Sequence, residues 1–318
     1  MKQIFITGAS GCIGHYLVEQ LIQQTDHELF LLVRNPQKLN YDYQARSGIH
    51  LLKGSLCDLE PFQSVLSTVD VLIHVATCWG GEEESYEINV RKSLELMNRL
   101  DRDRIEQVIY FSTASILDRR NRPLPEAGTL GTTYVRTKYQ CFSRLPELAI
   151  RDRITTVFPT FVFGGDAAKP YSHISGGLAE VIDWIGLIRW FSAEGSFHFV
   201  HAQDIAGVVT HLVDHPPAPK DSRILPLGNA AISADQAIAE ICAYLGKRIY
   251  FRIPLSTALA NFFIKVFRLK MAPWDRFCMN YRHFTHQNPV TPASFGLINY
   301  CSTVADIFKV SGIPAKNR

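Results

Sequence analysis

Short, almost unbroken apolar runs recur along the first half of the chain. Between them lie stretches in which apolar residues return every three to four positions. Ile4–Thr7, Leu29–Val33, Ile49–Lys53, Val69–Val75, Val108–Ser112 and Ile154–Phe158 are of the first kind. Such runs have the length of strands, and lacking a polar face they predict strands buried on both sides. Cys12–Gln24 is of the second kind, with Ile13, Leu17, Leu21 and Ile22 on one helical face. Glu82–Leu100 and Thr132–Arg151 likewise predict long amphipathic helices. Strands alternating with helices through right-handed crossovers give an α/β, Rossmann-type doubly wound parallel sheet.

Past Gly164-Gly165 the rhythm loosens. Helices are expected over Ile174–Leu187, Gln203–Val213, Ser233–Leu245 and Leu255–Leu269. Proline- and glycine-bearing connections join them, such as the run from His215 to Pro219. The pattern divides the chain into a dinucleotide-binding part, 1–165, and a smaller, mostly helical substrate lobe, 166–318. Segments from about 197 to 228 are expected to return to the sheet. No internal repeat or low-complexity segment occurs.

Composition narrows the picture further. Of 318 residues, 47% are hydrophobic and 20% charged, which supplies ample core and argues against wholesale disorder. A net charge of +3 gives no electrostatic footprint for nucleic acid. No run of about 18 apolar residues appears, so no transmembrane span is expected. Gly8 and Ser10 interrupt the N-terminal run too early for a signal peptide. Seven scattered cysteines, without a CxxC, suit a reducing, cytoplasmic setting.

The earliest chemical signal is Thr7-Gly8-Ala9-Ser10-Gly11-Cys12-Ile13-Gly14, between the first strand and first helix. Gly8 permits a tight turn, Gly11 a close backbone approach to a pyrophosphate, and Gly14 close helix packing. Ser10, Cys12 and Ile13 complete the turn. A dinucleotide cofactor is therefore expected. At the end of the second strand, where an NAD enzyme places a carboxylate on the ribose, the chain reads Val33-Arg34-Asn35. Arg34, with Lys38 beside it, favours the 2′-phosphate of NADP, with NAD the alternative.

Tyr134 and Lys138 stand four apart at the start of a predicted helix, and Ser112-Thr113-Ala114-Ser115 ends a strand upstream. With the glycine turn, in this order, these features resemble the extended short-chain dehydrogenase/reductases, the NAD(P)-dependent epimerase/dehydratase-type family. Further segments agree: Gly54–Leu59, His74-Val75-Ala76, Asn89-Val90, Pro159–Gly164 and Phe199–Asp204. Ile116-Leu117-Asp118 stands where the family often has Val-Tyr-Gly, which loosens any link to the best-known nucleotide-sugar epimerases.

The resemblance implies roles. Tyr134 is the general acid/base, Thr113 orients the reacting oxygen, and Lys138 bonds the nicotinamide ribose and, with the positive oxidised nicotinamide, lowers the Tyr134 pKa. Asp58, with Leu59, lies at the adenine. Val75, Ala76 and Thr77 pack along the cofactor, and Pro159 begins the loop at the nicotinamide amide. Dimerisation through the two long helices is a family implication.

Other clusters carry less. His198/His201 and His283/His286 lack the acidic or cysteine partners of a zinc set, so no metal is expected. Asp204 reads as a loop-ordering residue. The stripe Leu255, Leu259, Phe262, Phe263, Val266 and Phe267, among Lys265, Arg268 and Lys270, reads as a helix packed over the cleft rather than on a membrane surface. The aromatics Trp274, Phe277, Tyr281 and Phe284 suggest an apolar substrate wall. The expected function is NADP-dependent hydride transfer to or from a small organic carbonyl or alcohol. A nucleotide-sugar epimerase or dehydratase is the alternative, and a non-catalytic NADP-binding scaffold a further one.

Overall fold

Seven parallel strands form the centre of the molecule: β1 (Gln3–Thr7), β2 (Glu28–Val33), β3 (Ile49–Lys53), β4 (Val71–His74), β5 (Gln107–Phe111), β6 (Ile154–Pro159) and β7 (Ile224–Leu227). Their order is β7-β6-β5-β4-β1-β2-β3, so the chain reverses direction across the sheet between β1 and β4. The computed structural model describes residues 1–218, 221–266, 268 and 270–316. Pro219, Phe267, Leu269 and the side chain of Phe263, named above, lie outside the described residues.

Alternation along each strand sends side chains to two cores. On one face Ile4, Ile6, Leu29, Leu31, Val71 and Ile73 meet α1 (Cys12–Gln24) and the helix Ala202–Asp214. On the other, Phe5, Leu72, Val108 and Tyr110 meet α2 (residues 82–98) and α3 (Thr133–Arg144). Burial on both faces explains the unbroken apolar runs. Both α1 and β3 have the limits read from the pattern.

The expected helix 132–151 is shorter than predicted. It ends at Arg144 and is followed by a tight turn, Leu145–Glu147. Pro146 has no N–H to continue the ladder, and its ring clashes with the preceding turn. α2 carries a π-helical stretch, Glu87–Lys92, in its middle. Such widened turns often mark functional positions.

Beyond residue 165 the chain both extends and returns. Helix Ala202–Asp214 and β7 complete the sheet half. Leu178–Ile188, Ala234–Tyr244, Thr257–Val266, Pro273–Tyr281 and Val304–Val310 are helices of the lobe. The last two were not anticipated. Small two- and three-stranded sheets join these parts, for example Phe161–Phe163 with Phe199–His201. Trp274 and Phe277 stack at 5.2 Å and pack with Ile116, Leu117 and Phe158. They therefore tie the lobe to the sheet and are not among the residues of the cleft described next. Among the described residues no helix is long and apolar enough to cross a membrane. All seven cysteines are unpaired.

Candidate active site

A cleft of about 1680 Å³ opens at the carboxyl ends of β1, β2, β4, β5 and β6. It contains the point where strand order reverses, the usual ligand position in open parallel sheets. Ligand pockets commonly hold about 300–1,000 Å³, so this one has room for a dinucleotide and a second molecule.

Its floor is the glycine turn. Gly8 has φ +79°, and a Cβ there would stand 2.6 Å from the Ala76 nitrogen. A Cβ on Gly14 would stand 2.1 Å from the Gly8 carbonyl oxygen. Both glycines are required by the protein's own packing. Gly11 is different: a Cβ there would meet only the Gly8 oxygen, at 3.5 Å, an ordinary contact. The space above Gly11 belongs to the cleft. Gly11 caps α1 without any side-chain acceptor, so the first-turn N–H groups remain available to an anion. Ser10, Cys12 and Ile13 line the cleft beside it. Burial pushes the Cys12 thiol up to about 12, so it stays protonated.

Arg34 and Lys38 also line the cleft, past the end of β2. Both are exposed, and Arg34 forms no hydrogen bond or ion pair among the described residues. After β3 the lining is Gly54, Ser55, Leu56 and Cys57. Asp58 is exposed and stands outside the lining, and Leu59 turns into the core at 1% exposure. The turn closed by the Asp58 N–H on the Ser55 carbonyl brings the earlier four residues to the cleft instead.

Val75, Ala76 and Thr77 line the opposite wall. Thr77 and the Cys78 that follows it are fixed by Asn89, fully buried in the π-helical stretch. Its Oδ1 accepts from the Thr77 hydroxyl at 3.0 Å and the Cys78 N–H at 2.7 Å. Its amide nitrogen donates to the Cys78 carbonyl at 2.9 Å and Thr137 Oγ1 at 3.0 Å. One residue thus joins the β4 loop to α3. Beneath, His74 bridges the Thr7 and Ser93 hydroxyls at 2.7 and 2.8 Å. Burial, with Lys138 nearby, holds His74 down to about 3, hence neutral. Pro159 completes the far wall.

Thr113, Tyr134 and Lys138 meet in this cleft. Thr132 caps α3 by accepting from the Val135 N–H, which starts the helix just before Tyr134. The Lys138 ammonium is 1% exposed, donates to the Phe111 carbonyl at 2.8 Å and lies 5.1 Å from the Tyr110 ring. Burial brings it down to about 8. Burial pushes the Tyr134 phenol up to about 12, and a hydrogen bond to Thr113 opposes that rise. Ser112 presents a buried hydroxyl without a partner among the described residues, and it too lines the cleft. Free first-turn N–H groups, an open Gly11 and an orphaned hydroxyl fit a nicotinamide dinucleotide.

Sequence reasoning missed Trp79, Tyr171 and His173. All three line the cleft from irregular segments or helix ends. Loop aromatics carry no periodicity, so only the fold reveals them. The discounted histidines are occupied: His198 bonds the Asn229 carbonyl and accepts the His286 N–H, and His201 caps a helix through Gln203. Among the described residues no group of three or more histidine, cysteine, aspartate or glutamate side chains could hold a metal. Asp204 accepts from the Tyr300 and Cys301 N–H groups, ordering that loop. Burial raises it to about 6.

A Rossmann-type sheet with a glycine turn at its switch point and a Thr/Tyr/Lys cluster in the same cleft defines a nicotinamide-dinucleotide enzyme of the extended short-chain type. The chain belongs to the NAD dependent epimerase/dehydratase family, whose model matches residues 4–228. Solved structures share the fold. The Bordetella bronchiseptica enzyme WbmG, in complex with NAD and UDP, is 14% identical with a TM-score of 0.65, covering 98% of this chain and 96% of its own. The UDP-glucuronic acid 4-epimerase from Bacillus cereus, solved with NAD and a fluorinated UDP-sugar, is 15% identical with a TM-score of 0.62, covering 97% of both chains. The terminal R domain of the myxalamid PKS-NRPS pathway is 17% identical with a TM-score of 0.65, covering 100% of this chain and 87% of its own. No curated protein matches the chain.

Proposed function

We propose that the protein is an NADP-dependent oxidoreductase that interconverts a carbonyl and an alcohol on a small organic substrate. The observation that carries this reading is the meeting of Thr113, Tyr134 and Lys138 in one cleft, with the Tyr134 phenol kept protonated. A protonated phenol is the form a general acid needs. The bound nicotinamide supplies hydride to the carbonyl carbon in reduction, or accepts it from the alcohol in oxidation. Tyr134 gives its proton to the carbonyl oxygen as charge develops there, and recovers one from solvent. Thr113, beside Tyr134, orients that oxygen. Lys138 holds the ribose from below, its position set by the Phe111 carbonyl. The glycine turn and α1 receive the pyrophosphate, and Arg34 with Lys38 the 2′-phosphate. Residues 1–165 with the returning segments act as the cofactor part and the remainder as the substrate lobe. Two copies pair through α2 and α3.

The family and its UDP-bound structural neighbours favour a second reading, in which the abstracted hydride is returned to an epimerised nucleotide-sugar. Absorbance at the reduced-nicotinamide band separates the two. Net loss of NADPH with carbonyl compounds supports the oxidoreductase. Epimerisation without net change supports the second reading, and neither, with tight NADPH binding, a scaffold.

A further inference from the structure

The end of the cleft beside Tyr134 has a distinct chemistry. Glu82, Glu83, Glu84 and Glu87 line it from the start of α2. Glu82 approaches Arg136 on α3, two residues past Tyr134, at 3.0 Å, and Glu87 pairs with Arg91 at 2.8 Å. Glu83 and Glu84 form no ion pair among the described residues. The arginines and lysines among the described lining residues are Arg34, Lys38 and Lys138. The first two follow β2. Three strand spacings, roughly 14 Å, separate β2 from β5 and its Thr113. Lys138 is buried and engaged with the Phe111 carbonyl. Apart from Lys138, no arginine or lysine among the described lining residues follows Lys38 in the chain, and four glutamates line this end. Like charges brought together without a counter-ion oppose binding.

The same end is walled by aromatic surface. Trp79 lies parallel to Tyr134, with centroids 3.8 Å apart and planes 13° off. His173 stacks with Trp79 as well, at 5.6 Å and 21°. Trp79 is 61% exposed, Tyr171 59% and Phe161 42%, although all three face the cleft. Aromatic surface left in water gains from contact with an apolar ring.

Resting on the oxidoreductase reading above, we infer that the substrate is an uncharged, ring-bearing carbonyl compound or its alcohol, and not a nucleotide-sugar. Its ring packs on the wall formed by Trp79, Tyr171 and Phe161, and Trp79 is the specificity-determining residue.

The test uses the full chain saturated with NADPH. Binding of benzaldehyde, 4-carboxybenzaldehyde, hexanal and UDP-glucose is measured by calorimetry with NADP+ in place of NADPH, so that no aldehyde is reduced during the titration, and turnover by NADPH loss. Benzaldehyde is expected to bind at least about tenfold more tightly than the carboxylate or UDP-glucose. The pair Glu83→Gln and Glu84→Gln narrows the gap to the carboxylate. Trp79→Ala weakens benzaldehyde by about tenfold with a smaller change for hexanal, and Trp79→Phe restores most of the loss. Tighter binding of UDP-glucose or of the carboxylate than of benzaldehyde overturns the inference, as does an equal effect of Trp79→Ala on benzaldehyde and hexanal. NADPH loss accompanied by a preference for the carboxylate overturns this inference alone. The expected binding order without any NADPH loss sinks the oxidoreductase reading alone.

Discussion

The Lys138 ammonium donates to the Phe111 carbonyl at 2.8 Å from a position almost sealed from water. A buried ammonium costs stability, and its fall from the ordinary 10.5 to about 8 expresses that cost. The penalty is complete below about pH 8, where both folded and unfolded chains carry the charge. It fades between 8 and 10.5, because the folded chain loses its proton first. Lys138→Met is therefore expected to abolish turnover while stabilising the cofactor-free protein at neutral pH by about 1–2 kcal/mol, after allowing for the orphaned carbonyl. Denaturant midpoints at pH 7 and pH 10 check this: the advantage over the wild type must shrink at the higher pH. An advantage that grows with pH contradicts the account.

Tyr134→Phe removes the proposed proton donor and leaves the ring in its stack with Trp79. A loss of about 10²–10⁴-fold in kcat is expected, with the NADPH Kd unchanged. The wild-type pH profile should be directional. With the phenol held near 12, reduction shows no falling limb from Tyr134 below the ordinary tyrosine value of 10. Oxidation needs the phenolate and rises over the same range. A reduction limb that disappears in Tyr134→Phe, centred below pH 9, would contradict the assignment of a raised phenol.

Much of this cleft could be read before the fold was known, because its parts are local. The glycine turn lies within eight residues, and Tyr134 and Lys138 share one helix turn. What escaped depends on distant segments meeting. β7 was hidden by Pro226, which argues against a central strand; as the outermost strand of the sheet it tolerates the missing donor. Trp79 joins Tyr134 across 55 positions, held by a loop that Asn89 anchors. Ser55 and Cys57 line the cleft beside Asp58 because one turn decides which side chains face it. The Tyr134 shift escaped because burial is a property of the folded site.

Arg34 tests the choice of cofactor. It is exposed and without a protein partner among the described residues, so Arg34→Ala should leave thermal stability unchanged. Charge-assisted bonds to a 2′-phosphate contribute about 1.5–3 kcal/mol, so NADPH binding should weaken by about tenfold or more. NADH, which lacks that phosphate, should change little. Parallel titrations of both dinucleotides read the ratio directly. Equal weakening of the two, or none, assigns Arg34 to the solvated surface.

The three glycines of the turn are expected to fail in different ways. Gly14→Ala places a methyl 2.1 Å from the Gly8 oxygen, a backbone atom that cannot step aside. Gly8→Ala adds an unfavourable φ of +79° to a 2.6 Å clash with Ala76. Both should lower the Tm of the cofactor-free protein sharply or prevent folding. Gly11→Ala creates no clash, since its nearest new neighbour is 3.5 Å away, and changing a cap from glycine to alanine costs about 1 kcal/mol at most. Its methyl nevertheless enters the space over the N-terminus of α1 where the pyrophosphate is proposed to lie. Gly11→Ala should therefore fold with nearly the wild-type Tm in the absence of cofactor, yet lose most of the Tm gain that NADPH confers on the wild type. Thermal melts with and without NADPH measure both quantities in one series. A Gly11→Ala protein that keeps the full NADPH-dependent gain would show that the cofactor does not approach this turn.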